Sequence, residues 1–168
     1  VTMLIKSELG LEDYNLAEDI KKHPLAKVES LFNIRYEDGS VCFFQKPLDS
    51  SLFARNVIVK KDEMIPIPTK HTLEKIKIIR REAKSKVFVT NTIRALRDIA
   101  PNHDLRTIDF VVLVGGSALD FEIPEMISDE LSHYGVVCGS GNIRGAEGPR
   151  NAVATGLVIS YYKSLRGN

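Results

Sequence analysis

At 168 residues, with 43% apolar and 27% charged side chains, the chain has the size and composition of an ordinary globular unit with one core, or of two small lobes sharing a hinge. A formal charge of +1 leaves no global field to gather nucleic acid or an anionic membrane surface, and no apolar run nears the roughly 18 residues of a membrane span. Val1-Thr2-Met3-Leu4-Ile5 has no basic stretch before it and no small-residue cleavage site, so it is not a signal peptide; lacking an initiator Met, it is expected to begin inside a helix of a larger protein.

Residues 3–9 read as the end of a helix stopped by Gly10. Asn15 is the expected cap of a short helix, Leu16 to Lys22, ended by His23-Pro24. The period then changes to two, placing Val28, Ser30, Phe32, Ile34 and Tyr36 on one face of a strand. Glu37-Asp38-Gly39-Ser40 carries the Asp-Gly hairpin signal, Val41 to Gln45 returns, and Leu52 to Lys60 reads as a third strand before Pro66 and Pro68 close a small antiparallel unit. From Leu73 to Ile99 the period is helical, as one long amphipathic helix or two abutting ones. Lys75, Lys77, Arg80, Arg81, Lys84 and Lys86 are expected on its solvated face; Glu74 and Glu82 interrupt that stripe and no aromatics interleave, which argues against nucleic acid.

Asp109-Phe110-Val111-Val112-Leu113-Val114-Gly115-Gly116-Ser117 is the most informative stretch: a buried central strand running into paired glycines, where bare backbone N–H groups can meet an anion. An amphipathic helix follows, with Pro124 in its first turn and Gly135 at its end. Val136-Val137-Cys138 is a short strand, residues 139–148 form a glycine-rich loop, and Pro149 opens a last helix whose inward face includes Ala152, Val153, Gly156, Leu157 and Ser160. Both glycine loops follow a strand and precede a helix, so they fall at the carboxyl ends of the strands of one sheet, where ligands of open α/β folds gather. The second loop misses the dinucleotide fingerprint by one residue, and no GxxxxGK[ST] loop is present. Asp120, Glu122, Glu125 and Asp129 complement a helix dipole or approach Mg²⁺ beside phosphates. Cys42 and Cys138 read as core thiols of a reducing compartment, since no CxxC or Cys/His spacing appears.

The 109–117 stretch, Ile123-Pro124 and Pro149-Arg150-Asn151-Ala152-Val153-Ala154-Thr155-Gly156 together resemble the second lobe of the actin-like ATPases, including the heat-shock chaperones. Val111 to Glu125, Gly141 to Leu157, Leu16-Ala17-Glu18-Asp19-Ile20 and Ala26-Lys27-Val28-Glu29-Ser30-Leu31 are similar, more specifically, to the large subunit of diol or glycerol dehydratase reactivase. The resemblance implies an α/β fold: part of the second lobe of an actin-like (ribonuclease H-like) ATPase, with a small antiparallel β subregion. Residues 1–25 would pack on that lobe, 26–65 form the β-rich subregion, and 66–168 form the nucleotide-cleft lobe. The implied activity is ATP-dependent, chaperone-like release of damaged cobalamin from a coenzyme B12-dependent diol or glycerol dehydratase.

The resemblance also implies site residues. Gly115, Gly116 and Ser117 match the turn that approaches nucleotide phosphate and ribose, and Lys6, Ser7 and Glu8 match an adenosine-contacting helix. The chaperones place an arginine two residues after the Gly-Gly-Ser, where this chain has Leu119, and an acidic residue after the proline of the last helix, where it has Arg150. The implied cofactors are ATP/ADP and Mg²⁺, with the Mg²⁺ ligands mainly elsewhere in the subunit. Implied partners are the rest of the large subunit, the reactivase small subunit and the dehydratase, with no nucleic acid and no membrane. The implied location is the cytoplasm, free or within a bacterial microcompartment. The other reading open at this point is a non-catalytic protein-interaction module of an α/β fold.

Overall fold

The structure is a computed structural model and describes residues 1–142, 145 and 148–165. Contacts divide it into two compact units, Val1–Lys84 and Ser85–Asn168.

The first unit contains α1 (Thr2–Leu9), α2 (Tyr14–Lys22), β1 (Leu25–Ser30), β2 (Asn33–Tyr36), β3 (Val41–Phe43), β4 (Asn56–Val59), β5 (Met64–Pro66) and α3 (Leu73–Lys84). Its five strands form one antiparallel sheet in the order β3-β2-β1-β4-β5. Gly10 ends α1 at φ 62°, donating to the carbonyls of Lys6 and Ser7, as its sequence position predicts. The cap of α2 is Asp13 rather than Asn15: the Asp13 carboxylate accepts from the Asn15 amide at 2.7 Å. Asp and Asn cap about equally well, so the sequence alone did not separate them.

The single strand expected over 28–36 is two strands. Ser30 and Asn33 bond through their side chains, Ser30 Oγ accepts from the Phe32 amide at 3.1 Å, and the chain reverses at Leu31-Phe32. The period-two pattern survives this turn because Val28 and Ile34 become partners across the hairpin. Alternation also splits the core of the unit. Leu25 and Ile58 pair on the face covered by Ile5, Ile20 and Ile76, while Ala26, Val57, Val28 and Ile34 fill a second cluster. The first cluster draws on residues from α1 through α3, so the sequence segments 1–25 and 26–65 share one core with the start of 66–168.

The basic stripe of α3 is not uniformly solvated. Arg80 and Lys84 are fully buried. Arg80 Nη2 lies 2.8 Å from Glu37 Oε2, and its Nη1 donates to the His23 carbonyl at 3.3 Å. Lys77 donates to the Glu37 carbonyl, and Glu37 Oε1 accepts from the Leu25 amide. A cation on the core side of a helix requires such partners, and they come from a distant hairpin that helical periodicity does not report.

The second unit begins with a π turn at Ser85–Val89, followed by α4 (Thr90–Ile99), β6 (Phe110–Leu113), α5 (Ile123–Ser132), β7 (Val137–Ser140) and α6 (Ala152–Leu165). Val89, Ile93, Leu105, Ile127, Leu131 and Val136 form its core. β6 and β7 pair in parallel. Among the described residues β6 is not central, because it belongs to a two-stranded sheet. Nor is it buried on both faces: Val111 and Leu113 pack toward the core, while Phe110 is 67% and Val112 50% exposed. The inward face expected of α6 is likewise uncovered, with Val153, Gly156, Leu157 and Ser160 all exposed. Both departures have one cause: no element among the described residues covers that apolar surface. No helix among those residues is long and apolar enough to cross a membrane.

Candidate functional site

Parallel pairing puts the carboxyl ends of β6 and β7 side by side, with Leu113 opposite Ser140. The two glycine loops therefore start from adjacent points, as the strand–loop–helix pattern requires. The Gly141 amide donates to the Leu113 carbonyl at 2.8 Å, and the Gly115 amide donates to the Pro149 carbonyl at 2.7 Å. These bonds tie the first loop to both ends of the second. Ile143, Arg144, Ala146 and Glu147, which belong to the expected second loop, lie outside the described residues. Gly139, expected in that loop, is instead the third residue of β7.

Two of the glycines are required by geometry. Gly115 has φ 91° and ψ −177°, a region essentially closed to side-chain-bearing residues. A Cβ on Gly141 would sit 2.9 Å from Val114 Cγ1 and 3.2 Å from Val112 Cγ1, so any other residue there would push those valines aside. Sequence reasoning singled out Gly115 but not Gly141 or the Pro149 carbonyl. The signal for Gly141 was its place two residues after a strand glycine.

After Gly115 the chain makes one 3-10 turn, Gly116–Leu119. Gly116 and Ser117 are exposed, Gly115 is half-buried, and the space where a Cβ on Gly115 or Gly116 would sit is open. The Gly115 amide is already engaged by Pro149, so of the three expected anion-facing amides it is the one already committed. The Gly116 and Ser117 amides have no backbone acceptor among the described residues.

Asp120 Oδ1 accepts from the Glu122 amide at 2.9 Å and the Ile123 amide at 3.2 Å, in the turn just ahead of α5. Glu122 is buried. Among the described residues no group of three His, Cys, Asp or Glu side chains could hold a metal ion. Cys138, beneath the site on β7, is a free thiol whose pKa is pushed up by burial. Lys6, Ser7 and Glu8 all lie on α1, in the first unit, with Ser7 and Glu8 exposed and Lys6 half-buried. The structure thus brings Gly115, Gly116 and Ser117 together in one unit and Lys6, Ser7 and Glu8 together in the other.

Residues 1–161 match the family described as the diol dehydratase reactivase ATPase-like domain. Over 165 residues the chain is 62% identical to the propanediol dehydratase-reactivating factor large subunits of Citrobacter freundii and Salmonella typhimurium, covering 98% of this chain and 27% of each relative. The diol dehydratase-reactivating factor large subunit of Klebsiella michiganensis matches to the same extent, 62%. Among solved structures, a glycerol dehydratase reactivase superposes with a TM-score of 0.90 at 61% identity, and a diol dehydratase-reactivating factor in nucleotide-free form with 0.90 at 62%. Each match covers 96% of this chain and 27% of the solved chain, so the chain spans about a quarter of the length of the proteins it resembles. The mixed α/β fold with its antiparallel sheet is the one these reactivase chains share with it. On this identity, over nearly its whole length, the chain belongs to the diol dehydratase reactivase family, within its ATPase-like domain.

Proposed function

We propose that this chain forms the second lobe of the actin-like nucleotide cleft of a reactivase large subunit. That subunit uses ATP to free a coenzyme B12-dependent diol or glycerol dehydratase from damaged cobalamin, in the manner of a chaperone. The observation that carries this reading is the joined pair of glycine loops at the carboxyl ends of β6 and β7, with the Gly116 and Ser117 amides open beside a Gly115 fixed by Pro149. Preorganised N–H groups of this kind stabilise phosphate charge without reorganising. Lys6, Ser7 and Glu8 would contact the adenosine side. Mg²⁺ would supply phosphate neutralisation, with its carboxylate ligands mainly outside this chain. The uncovered apolar surface around Phe110, Val112 and α6 would pack against the rest of the large subunit. Closure on ATP and relaxation on hydrolysis would then bias affinity for the small subunit and the dehydratase, a linkage of binding equilibria.

The test is Gly116→Val in the intact large subunit. The expected result is weakened ATP binding and slowed turnover, with unchanged secondary structure. Wild-type ATP affinity and turnover in that variant would remove the turn from the site.

A further inference from the structure

Away from the glycine loops, the first unit holds a hollow of about 460 Å³ where the start of α3 meets the ends of β1 and β4. Its wall carries Lys27 from β1, Arg55 from the residue before β4, and Lys70 and His71 from the segment leading into α3. All four are exposed. Lys27, Arg55 and Lys70 form no ion pair among the described residues, whereas Lys21, Lys22, Arg35, Lys60 and Arg80 in the same unit are each paired with a carboxylate. Three cations therefore gather around one concave site that holds a single carboxylate, Glu74, in a chain whose formal charge is +1.

The frame that holds them is hydrogen-bonded. Lys27 lies opposite Asn56 in the β1–β4 ladder, and the Arg55 carbonyl accepts from the Val28 amide at 2.9 Å. Asn56 Nδ2 donates to the His71 carbonyl at 2.9 Å, and the His71 amide donates to Thr69 Oγ1 at 3.2 Å, fixing the loop that carries Lys70. Glu74 is the one carboxylate on the wall. It is engaged by its own backbone amide and by Thr72, and its pKa is held below the usual range by those bonds and by the nearby Lys27 charge.

We propose that this hollow is an anion site for a small, multiply charged phosphate-bearing ligand. Its volume lies within the range of small-molecule pockets. Arg55 offers a planar fork suited to two phosphate oxygens, and Lys27 and Lys70 supply point charges. A nucleic-acid strand fits less well, since no Phe, Tyr or Trp lines the wall for base stacking.

The experiment uses inorganic pyrophosphate titrated into the full 168-residue chain and followed by amide resonances. The expected result is saturable shifts at Lys27, Arg55, Lys70, His71 and Thr72, weakened at least tenfold in the Lys27→Gln/Arg55→Gln/Lys70→Gln variant and weakened by salt. These side chains are exposed, so the variant is expected to fold, which its unshifted spectrum elsewhere verifies. Shifts confined to residues 115–117 would overturn the proposal while supporting the glycine-loop site. Non-saturating shifts, or equal affinity in the triple variant, would also overturn it. So would tighter binding of a short RNA than of pyrophosphate.

Discussion

The two units place their apolar residues differently. The first closes its sheet between two clusters and buries even two cations, Arg80 and Lys84. The second buries one side of a two-stranded parallel sheet against α5 and leaves Phe110, Val112 and Val137 open, together with most of the apolar residues of α6. Parallel strands are covered on both faces in nearly all α/β folds. The lesson is that the first unit is a finished core, while the second presents a half-made layer at the place where the glycine loops lie.

That contrast can be broken most forcefully in the first unit. Glu37→Ala removes the Glu37 carboxylate from the buried Arg80 guanidinium, and a loss of about 3–5 kcal/mol is expected in urea unfolding. In the second unit Leu131→Ala, at a fully buried position, is expected to cost about 2–5 kcal/mol by cavity formation. A Gly115→Ala chain is expected to lose about 1–3 kcal/mol, because φ 91° must be held by a residue with a Cβ. Leu157→Ser should sharpen the comparison from the other side. At 67% exposure it is expected to change the stability of this chain by less than about 0.5 kcal/mol. The same substitution in the intact large subunit is expected to lower its melting temperature, measured side by side.

A pH dependence is expected as well, confined to the first unit. Burial alone would raise the Glu18 carboxyl, but hydrogen bonds from Lys21, Lys22 and Thr2 outweigh it and lower its pKa from 4.5 to about 2. A folded-state value below the unfolded one adds stability that is fully present above about pH 4.5 and lost as the pH falls toward 2. Glu18→Gln should therefore flatten the acid limb of the stability curve in that window, leaving the neutral region less affected.

Local chemistry made much of this legible. Gly10, the Asp38-Gly39 turn, Pro124 and Gly135 each mark an element end by a backbone rule that needs no tertiary partner. The strand–turn–helix order likewise placed both glycine loops at one sheet edge. What the sequence did not disclose depends on distant partners. The turn at Leu31-Phe32 is made by Ser30 and Asn33 side chains inside a clean alternating pattern. The burial of Arg80 depends on Glu37, 43 residues away. The exposed α6 has the composition of a packing helix, but none of the described residues covers it. At the site, the bond from the Gly115 amide to Pro149 spans a loop whose path no spacing rule predicts.

The five-stranded sheet has unlike borders. At β5 the border carries Pro66, which has no amide hydrogen to offer an incoming strand. At β3 the border is three residues without proline, with Phe43 77% exposed. Fibril seeding or domain exchange through this sheet is thereby polarised: a foreign strand recruited by unfolded material would add beside Val41–Phe43, and a lysine or proline placed there would be the economical way to keep concentrated samples monomeric.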